Sequence, residues 1–186
     1  MDDILRDFPN TLETERLTIR CPQPGDGPEL NAAAVESWDD LRPWMPWAVQ
    51  VPTVAESEAL LRRAQVRFLA REELWLLLFL RGTQTLVGSS GLHRIDWSVP
   101  RFEIGYWVRS RYARQGYVTE AVVGIAGFAF DVLGARRVEI RCDALNERSA
   151  AVARRAGFAL EATIRHAFRD HLTGDLRDEL IFAQIR

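Results

Sequence analysis

Apolar and polar positions recur along this chain with a period that changes several times, and each change marks an element. Leu12, Leu17 and Ile19 give residues 11–20 the pattern of a strand. Pro22, Pro24, Gly25 and Gly27 then form a loop, and Pro28 suits the first turn of a helix over 28–37. Two prolines, Pro43 and Pro46, keep 41–47 from being helical throughout. Thr53 and Glu56 stand at capping-box spacing ahead of Ala59, Leu60, Ala64 and Phe68, which predicts a helix over 55–71.

Two strands, 74–81 and 85–94, flank a short turn at Gly82 and read as a hairpin, and 102–109 continues the sheet. A strongly apolar helix follows over 117–133, closed by Gly134. The strand 137–142 comes next, then the helix 146–156 closed by Gly157. Finally, strands 158–169 and 177–185 are joined through Thr173-Gly174-Asp175. The order β-α-α-β-β-β-α-β-α-β-β implies an α/β (α+β) domain built around one sheet and spanning 1–186.

Composition narrows the chemistry. The net charge is −2, which argues against nucleic-acid binding through a general basic surface. All 24 basic residues are arginine. The absence of lysine rules out a Walker-type phosphate loop and any lysine Schiff base. Cys21 and Cys142 form no CxxC pair and lie in apolar stretches that read as strands, so both are expected as buried free thiols. No His/Cys/Asp/Glu cluster has metal spacing, so no metal is expected. The start is acidic, and the longest apolar run, 74–80, is too short to span a bilayer. A cytoplasmic location with no membrane contact is the expectation.

The densest chemistry lies at 106–120, where a strand runs into a basic turn with one glycine and then into a long helix. That geometry aims free backbone N–H groups and the helix dipole at one spot, where a phosphate can bind. Arg109, Arg111 and Arg114 raise the local potential. Each charge-assisted contact contributes roughly 1.5–3 kcal/mol against about 0.3–1 for the dipole, so multiple contacts carry the affinity. Taken alone, the segment also fits an ordinary strand–turn–helix joint.

It does not stand alone. Phe102-Glu103-Ile104-Gly105-Tyr106-Trp107-Val108, followed by Arg114-Gln115-Gly116-Tyr117-Val118-Thr119-Glu120-Ala121, resembles the acetyl-CoA motif of the GNAT superfamily of N-acetyltransferases. Asn146-Glu147-Arg148-Ser149-Ala150, through Ala156-Gly157-Phe158, resembles its second cofactor segment. The opening 14–20 and Leu86-Val87-Gly88 are similar to the RimJ/RimL-like branch, which acetylates ribosomal-protein N-termini. The family loop has a first glycine where this chain has Arg114, which an arginine can replace if that position keeps a negative φ.

The resemblance implies the GNAT acyl-CoA N-acyltransferase fold: a mixed, mostly antiparallel sheet with splayed central strands and flanking helices. It implies acetyl-CoA as co-substrate, with the pantetheine along 102–109 near Trp107, Val108 and Arg109. The Val108 N–H is then the donor to the thioester carbonyl. The pyrophosphate is placed at Arg114, Gln115, Gly116, Tyr117 and Val118, with Thr119 nearby, and Asn146 and Ser149 complete the coenzyme site. Glu103, a carboxylate in an apolar strand, is the candidate base, with pairing to Arg94 or Arg101 as its alternative. Ser149 is the candidate acid for the leaving thiolate, by analogy with a serine in that branch. Trp44 and Trp47 are candidates for the acceptor wall or for a lid over the core, and His93 is a secondary candidate. The expected partners are an amine acceptor, in this branch a ribosomal-protein or other protein N-terminus, and a second copy of the chain as a homodimer. Small amines, aminoglycosides and a non-catalytic acyl-CoA sensor remain open.

Overall fold

The computed structural model describes residues 2–186. The first predicted strand is two: β1 (Thr11–Glu13) and β2 (Leu17–Arg20) pair antiparallel around a turn in which the Thr14 N–H donates to Leu17 O at 2.9 Å. The reason is nonlocal. Glu120, far along the chain, accepts from Thr14 Oγ1 (2.5 Å), the Arg16 N–H (2.7 Å) and Arg16 Nε (2.6 Å), and these bonds pin the turn.

Helix α1 (Gly27–Glu36) carries its proline in the first turn, and the single-turn α2 (Trp38–Leu41) leads into the proline-interrupted stretch. Helix α3 (Val54–Leu69) opens on the capping box: Thr53 accepts from the Glu56 N–H while the Glu56 carboxylate accepts from the Thr53 N–H. Strands β3 (Leu74–Leu80), β4 (Leu86–Asp96) and β5 (Arg101–Val108) form an antiparallel meander. The rest is α4 (Tyr117–Asp131), β6 (Arg137–Asp143), α5 (Glu147–Arg155), β7 (Ala159–Arg169) and β8 (Leu176–Ile185).

Among the described residues, one eight-stranded sheet runs in the order β1-β2-β3-β4-β5-β6-β8-β7. Its neighbours are antiparallel except β5 and β6, which pair parallel. Helices cover both faces. On one face α4 and α5 bury Phe102, Ile104, Val138, Ile140 and Phe182. On the other, α1 and α3 bury Leu77, Phe79, Leu86 and Trp107. Each such large side chain contributes about 1.5–3 kcal/mol of burial, which holds the two layers to the sheet.

The cysteines depart in part from expectation. Cys21 is buried just after β2, and burial pushes its thiol up to about 11; Cys142 lies in β6 and is only half-buried. No helix among the described residues is long and apolar enough to cross a membrane.

Candidate active site

The site begins where the sheet comes apart. β5 and β6 are in register only at Arg101↔Arg137, Phe102↔Val138 and Glu103↔Glu139. Beyond Glu103 β5 runs on to Val108 while β6 stays with β8 as far as Asp143, so a gap opens between them.

Backbone polarity shows what faces that gap. The Arg109 N–H donates to Val87 O at 2.8 Å, and Ser90 Oγ donates to Gly105 O at 2.8 Å. A Cβ on Gly88 would sit 2.3 Å from Trp107 O. Residues 105, 107 and 109 therefore turn their backbone groups toward β4. Strand alternation sends those of Tyr106 and Val108 the other way, into the gap that β6 has left. The Val108 N–H thus faces the gap, whereas Trp107 contributes only its side chain.

A cavity of about 660 Å³ runs through this gap. Arg114, Gly116, Tyr117, Val118 and Thr119 line it, as do Asn146 and Ser149. Trp44, Met45 and Trp107 also line it, together with the carboxylates Asp40 and Glu147. A smaller adjoining hollow shares Asp40, Trp44 and Glu147.

Part of the lining is a helix N-terminus. Gly116, with φ 83°, is the N-cap of α4 and has no side chain to occupy the cap. The N–H groups of the first turn lack intrahelical acceptors and open onto the cavity. Arg16 braces the turn from outside, donating through Nη1 to Gln115 O (3.0 Å) and stacking on the Tyr117 ring at 4.5 Å. The condition set for Arg114 is not met: its φ is 62°, in the left-handed region. An L-residue there carries about 1–2 kcal/mol of strain, which the glycine of related loops avoids.

Asn146 caps α5, its Oδ1 accepting from the Ser149 N–H at 3.0 Å, which leaves its NH₂ group without a capping duty. The Ser149 hydroxyl lies 3.0 Å from the hydroxyl of Tyr106, and that phenol also donates to Ser149 O at 2.9 Å. Tyr106 carries no sign of this role in the sequence, because its partner lies 43 residues away.

Several expected site residues lie elsewhere. Arg109 turns its buried guanidinium onto α1, with Nη1 2.8 Å from Glu29 and Nε 2.8 Å from Glu36. Gln115 donates back to Arg111 O at 2.9 Å. Trp47 lies outside the cavity against the Trp107 ring, centroids 6.3 Å apart. His93 is held by Glu73, Nδ1 to Oε1 at 2.6 Å, and does not line the cavity.

Glu103 also lies outside the cavity lining, at the vertex where the strands part. Its Oε2 is 3.4 Å from Arg94 Nη1 and 3.3 Å from Arg141 Nε, so Arg94 and Arg141, not Arg101, are its cationic neighbours. That oxygen is buried without a hydrogen-bond partner. Burial pushes the carboxyl above its ordinary range, against the opposing pull of Arg94 and Arg141. Three residues of strand separate it from Tyr106, or roughly 10 Å, so it reaches the gap only through water. Among the described residues no cluster of three or more His, Cys, Asp or Glu side chains is placed to hold a metal ion.

Comparison with known proteins fits this architecture. Residues 16–159 match the family described as "Acetyltransferase (GNAT) domain". The "Putative ribosomal N-acetyltransferase YdaF" of Bacillus subtilis (strain 168) is 31% identical over 155 residues, covering 81% of this chain and 82% of that protein. The crystal structure of the microcin C7 self-immunity acetyltransferase MccE, in complex with acetyl-CoA and AMP, has a TM-score of 0.88 at 22% identity, covering 96% of this chain and 98% of that one. RimL, a ribosomal L7/L12 alpha-N-protein acetyltransferase in complex with coenzyme A, has a TM-score of 0.86 at 22% identity, covering 94% and 97%. A split sheet with an anion-ready helix terminus beside its gap, together with these matches, places the chain in the GNAT family of N-acetyltransferases, in its RimJ/RimL-like branch.

Proposed function

We propose that this enzyme transfers an acetyl group from acetyl-CoA to the α-amine of a protein or peptide N-terminus, by direct attack in a ternary complex. The supporting observation is the cavity that joins the Gly116 helix terminus, the free backbone of Tyr106 and Val108, and the side chains of Trp44 and Trp107. Its donors suit a phosphorylated, amide-bearing chain: N–H groups of residues 116–119 for a pyrophosphate, and strand-like groups of 106 and 108 for pantetheine amides. Bound acetyl-CoA supplies the activated acyl thioester. The Val108 N–H stabilises negative charge as it develops on the carbonyl oxygen. Ser149 donates to the leaving sulfur. Glu103 accepts the amine's proton through water, a role that its orphaned, burial-raised carboxylate can fill.

The choice of acceptor follows from proton energetics. Freeing an α-amine at pH 7 costs roughly 1.2 kcal/mol, against over about 4.5 for a lysine side chain. A carboxylate acting at a distance matches the smaller demand. The relatives' names, ribosomal N-acetyltransferase and alpha-N-protein acetyltransferase, agree with that choice. A thiol-release screen with N-terminal peptides, lysine peptides, polyamines and aminoglycosides tests it. Turnover is expected with N-terminal peptides, and a preference for polyamines or aminoglycosides would overturn the assignment. Acetyl-CoA binding without thiol release for any amine would mark a sensor instead.

A further inference from the structure

Tyr106 and Ser149 both line the cavity, and they come from different layers of the fold. Tyr106 stands on β5 beside the gap and sends its side chain to the face covered by α5, where its ring packs against the main core. Its hydroxyl has one proton and two acceptors within reach, Ser149 O at 2.9 Å and Ser149 Oγ at 3.0 Å. Ser149 O belongs to the first turn of α5 and has its own intrahelical donor.

Two arrangements of hydrogen fit these distances. In one, the phenol donates to Ser149 O, and the serine proton points back at the phenol oxygen and away from the cavity. In the other, the phenol donates to Ser149 Oγ, which leaves the serine's own proton free to point into the cavity. Negative charge on a sulfur in the cavity selects the second, because the chain O–H···O–H···S⁻ then runs in one direction and each bond polarises the next.

We propose that Tyr106 is a positioning residue for the proton-donating step: its O–H donates to Ser149 Oγ and turns the Ser149 proton toward the leaving sulfur. This rests on Ser149 being the acid of the proposed function. In the step, a bond forms from the amine nitrogen to the acyl carbon and the carbon–sulfur bond breaks. The bonding pair leaves with sulfur, which takes the Ser149 proton. The nitrogen's surplus proton passes through water to Glu103, and Ser149 regains one from solvent. Tyr106 ends the step with its proton, because solvent replaces the one that Ser149 gives up.

A tyrosine that merely tied α5 to β5 would show the same two contacts, so the test must separate orientation from anchoring. Tyr106→Phe keeps the ring in the core and removes the hydroxyl. With the acceptor found in the screen, its kcat should fall about tenfold, while KM for acetyl-CoA and the affinity for coenzyme A stay within about twofold. Ser149→Ala should lower kcat by at least as much, and Tyr106→Phe should cost nothing further in that background. Incorporating 3-fluorotyrosine at 106, which keeps the hydroxyl and sharpens it as a donor, should retain the wild-type rate. Independent losses in the double variant would overturn the positioning role, as would an unchanged kcat for Tyr106→Phe beside a slow Ser149→Ala. A wild-type rate for Ser149→Ala would instead remove Ser149 as the acid, and the role of Tyr106 with it.

Discussion

Two residues near the gap, Arg114 and Glu103, hold a conformation or a charge that costs free energy. Arg114 is strained at φ 62° with its side chain at the cavity. Arg114→Gly should relieve about 1–2 kcal/mol of strain and lose roughly 0.5–1 to glycine's unfolded-state freedom. The variant should melt at a slightly higher temperature, by roughly 1–3 °C, and bind coenzyme A several-fold more weakly for want of a guanidinium. Equal or tighter coenzyme affinity would show that Arg114 contributes nothing to phosphate binding. The glycine pattern of the loop was legible in the sequence, but the backbone angle at 114 was not, because only the closed turn fixes it. Glu103 gives a second prediction, with its sign set by burial. Its raised pKa means that the basic form is lost as pH falls, so it should shape the acidic limb of the rate profile. Glu103→Gln should lower kcat/KM about tenfold at pH 7, the most that freeing an α-amine can require, and little by pH 9, where the amine is already neutral. Wild-type rates across pH 6–9 would mean that solvent takes the proton unaided.

At the scale of elements, α1 and the end of β5 are clamped by charge. Glu36 meets both Arg109 and Arg111, and Ser110 adds bonds from its N–H to Ser37 Oγ (2.9 Å) and from its Oγ to Asp40 (2.5 Å). Arg109 looked like a coenzyme-site residue in the sequence because it opens a run of three arginines at the end of the strand. Folding turns it inward, since two carboxylates of α1 pack against the face of the sheet to which it points. The elements themselves were legible because their signals are local: the capping box at Thr53, the apolar run of α4 and glycines after helices. The turn that divides β1 from β2 was not, because it depends on Glu120. Bonds from Arg111 first, and then from Arg109, hold the Glu36 carboxyl down to about 2, from an ordinary 4.5. A depressed carboxyl stabilises the fold above its unfolded pKa, and that contribution is lost as pH falls from about 4.5 through 2. Because the group is partly solvated, about 1 kcal/mol is a reasonable magnitude. Glu36→Gln should therefore melt roughly 2–4 °C lower at pH 7 and show a shallower loss of stability between pH 4.5 and 2. Parallel melting curves for the two proteins through that window would refute the clamp.

At the scale of the molecule, the sheet is two sheets joined at a narrow seam. Only three residue pairs connect β5 to β6, with α4 and α5 packed across the join. A ligand lying in the gap would act as an added strand, pairing with backbone that β6 does not reach. This leads to a pattern that few other binding modes share. On addition of coenzyme A, amide exchange should slow at Tyr106 and Val108, whose N–H groups face the gap, and across residues 116–119 at the helix terminus. It should change little at Gly105 and Trp107, whose backbone groups are turned toward β4. Binding only to the native state should also stabilise the whole fold, by about 2.7 kcal/mol at a coenzyme concentration 100 times Kd. For a chain of this length that is a rise in melting temperature of roughly 5–10 °C. Residue-resolved hydrogen exchange by NMR, with and without coenzyme A, checks both. Slowing at 105 and 107 in place of 106 and 108 would reverse the assigned strand polarity. Slowing confined to 116–119 would leave phosphate binding at the helix terminus and remove the gap as the path of the pantetheine.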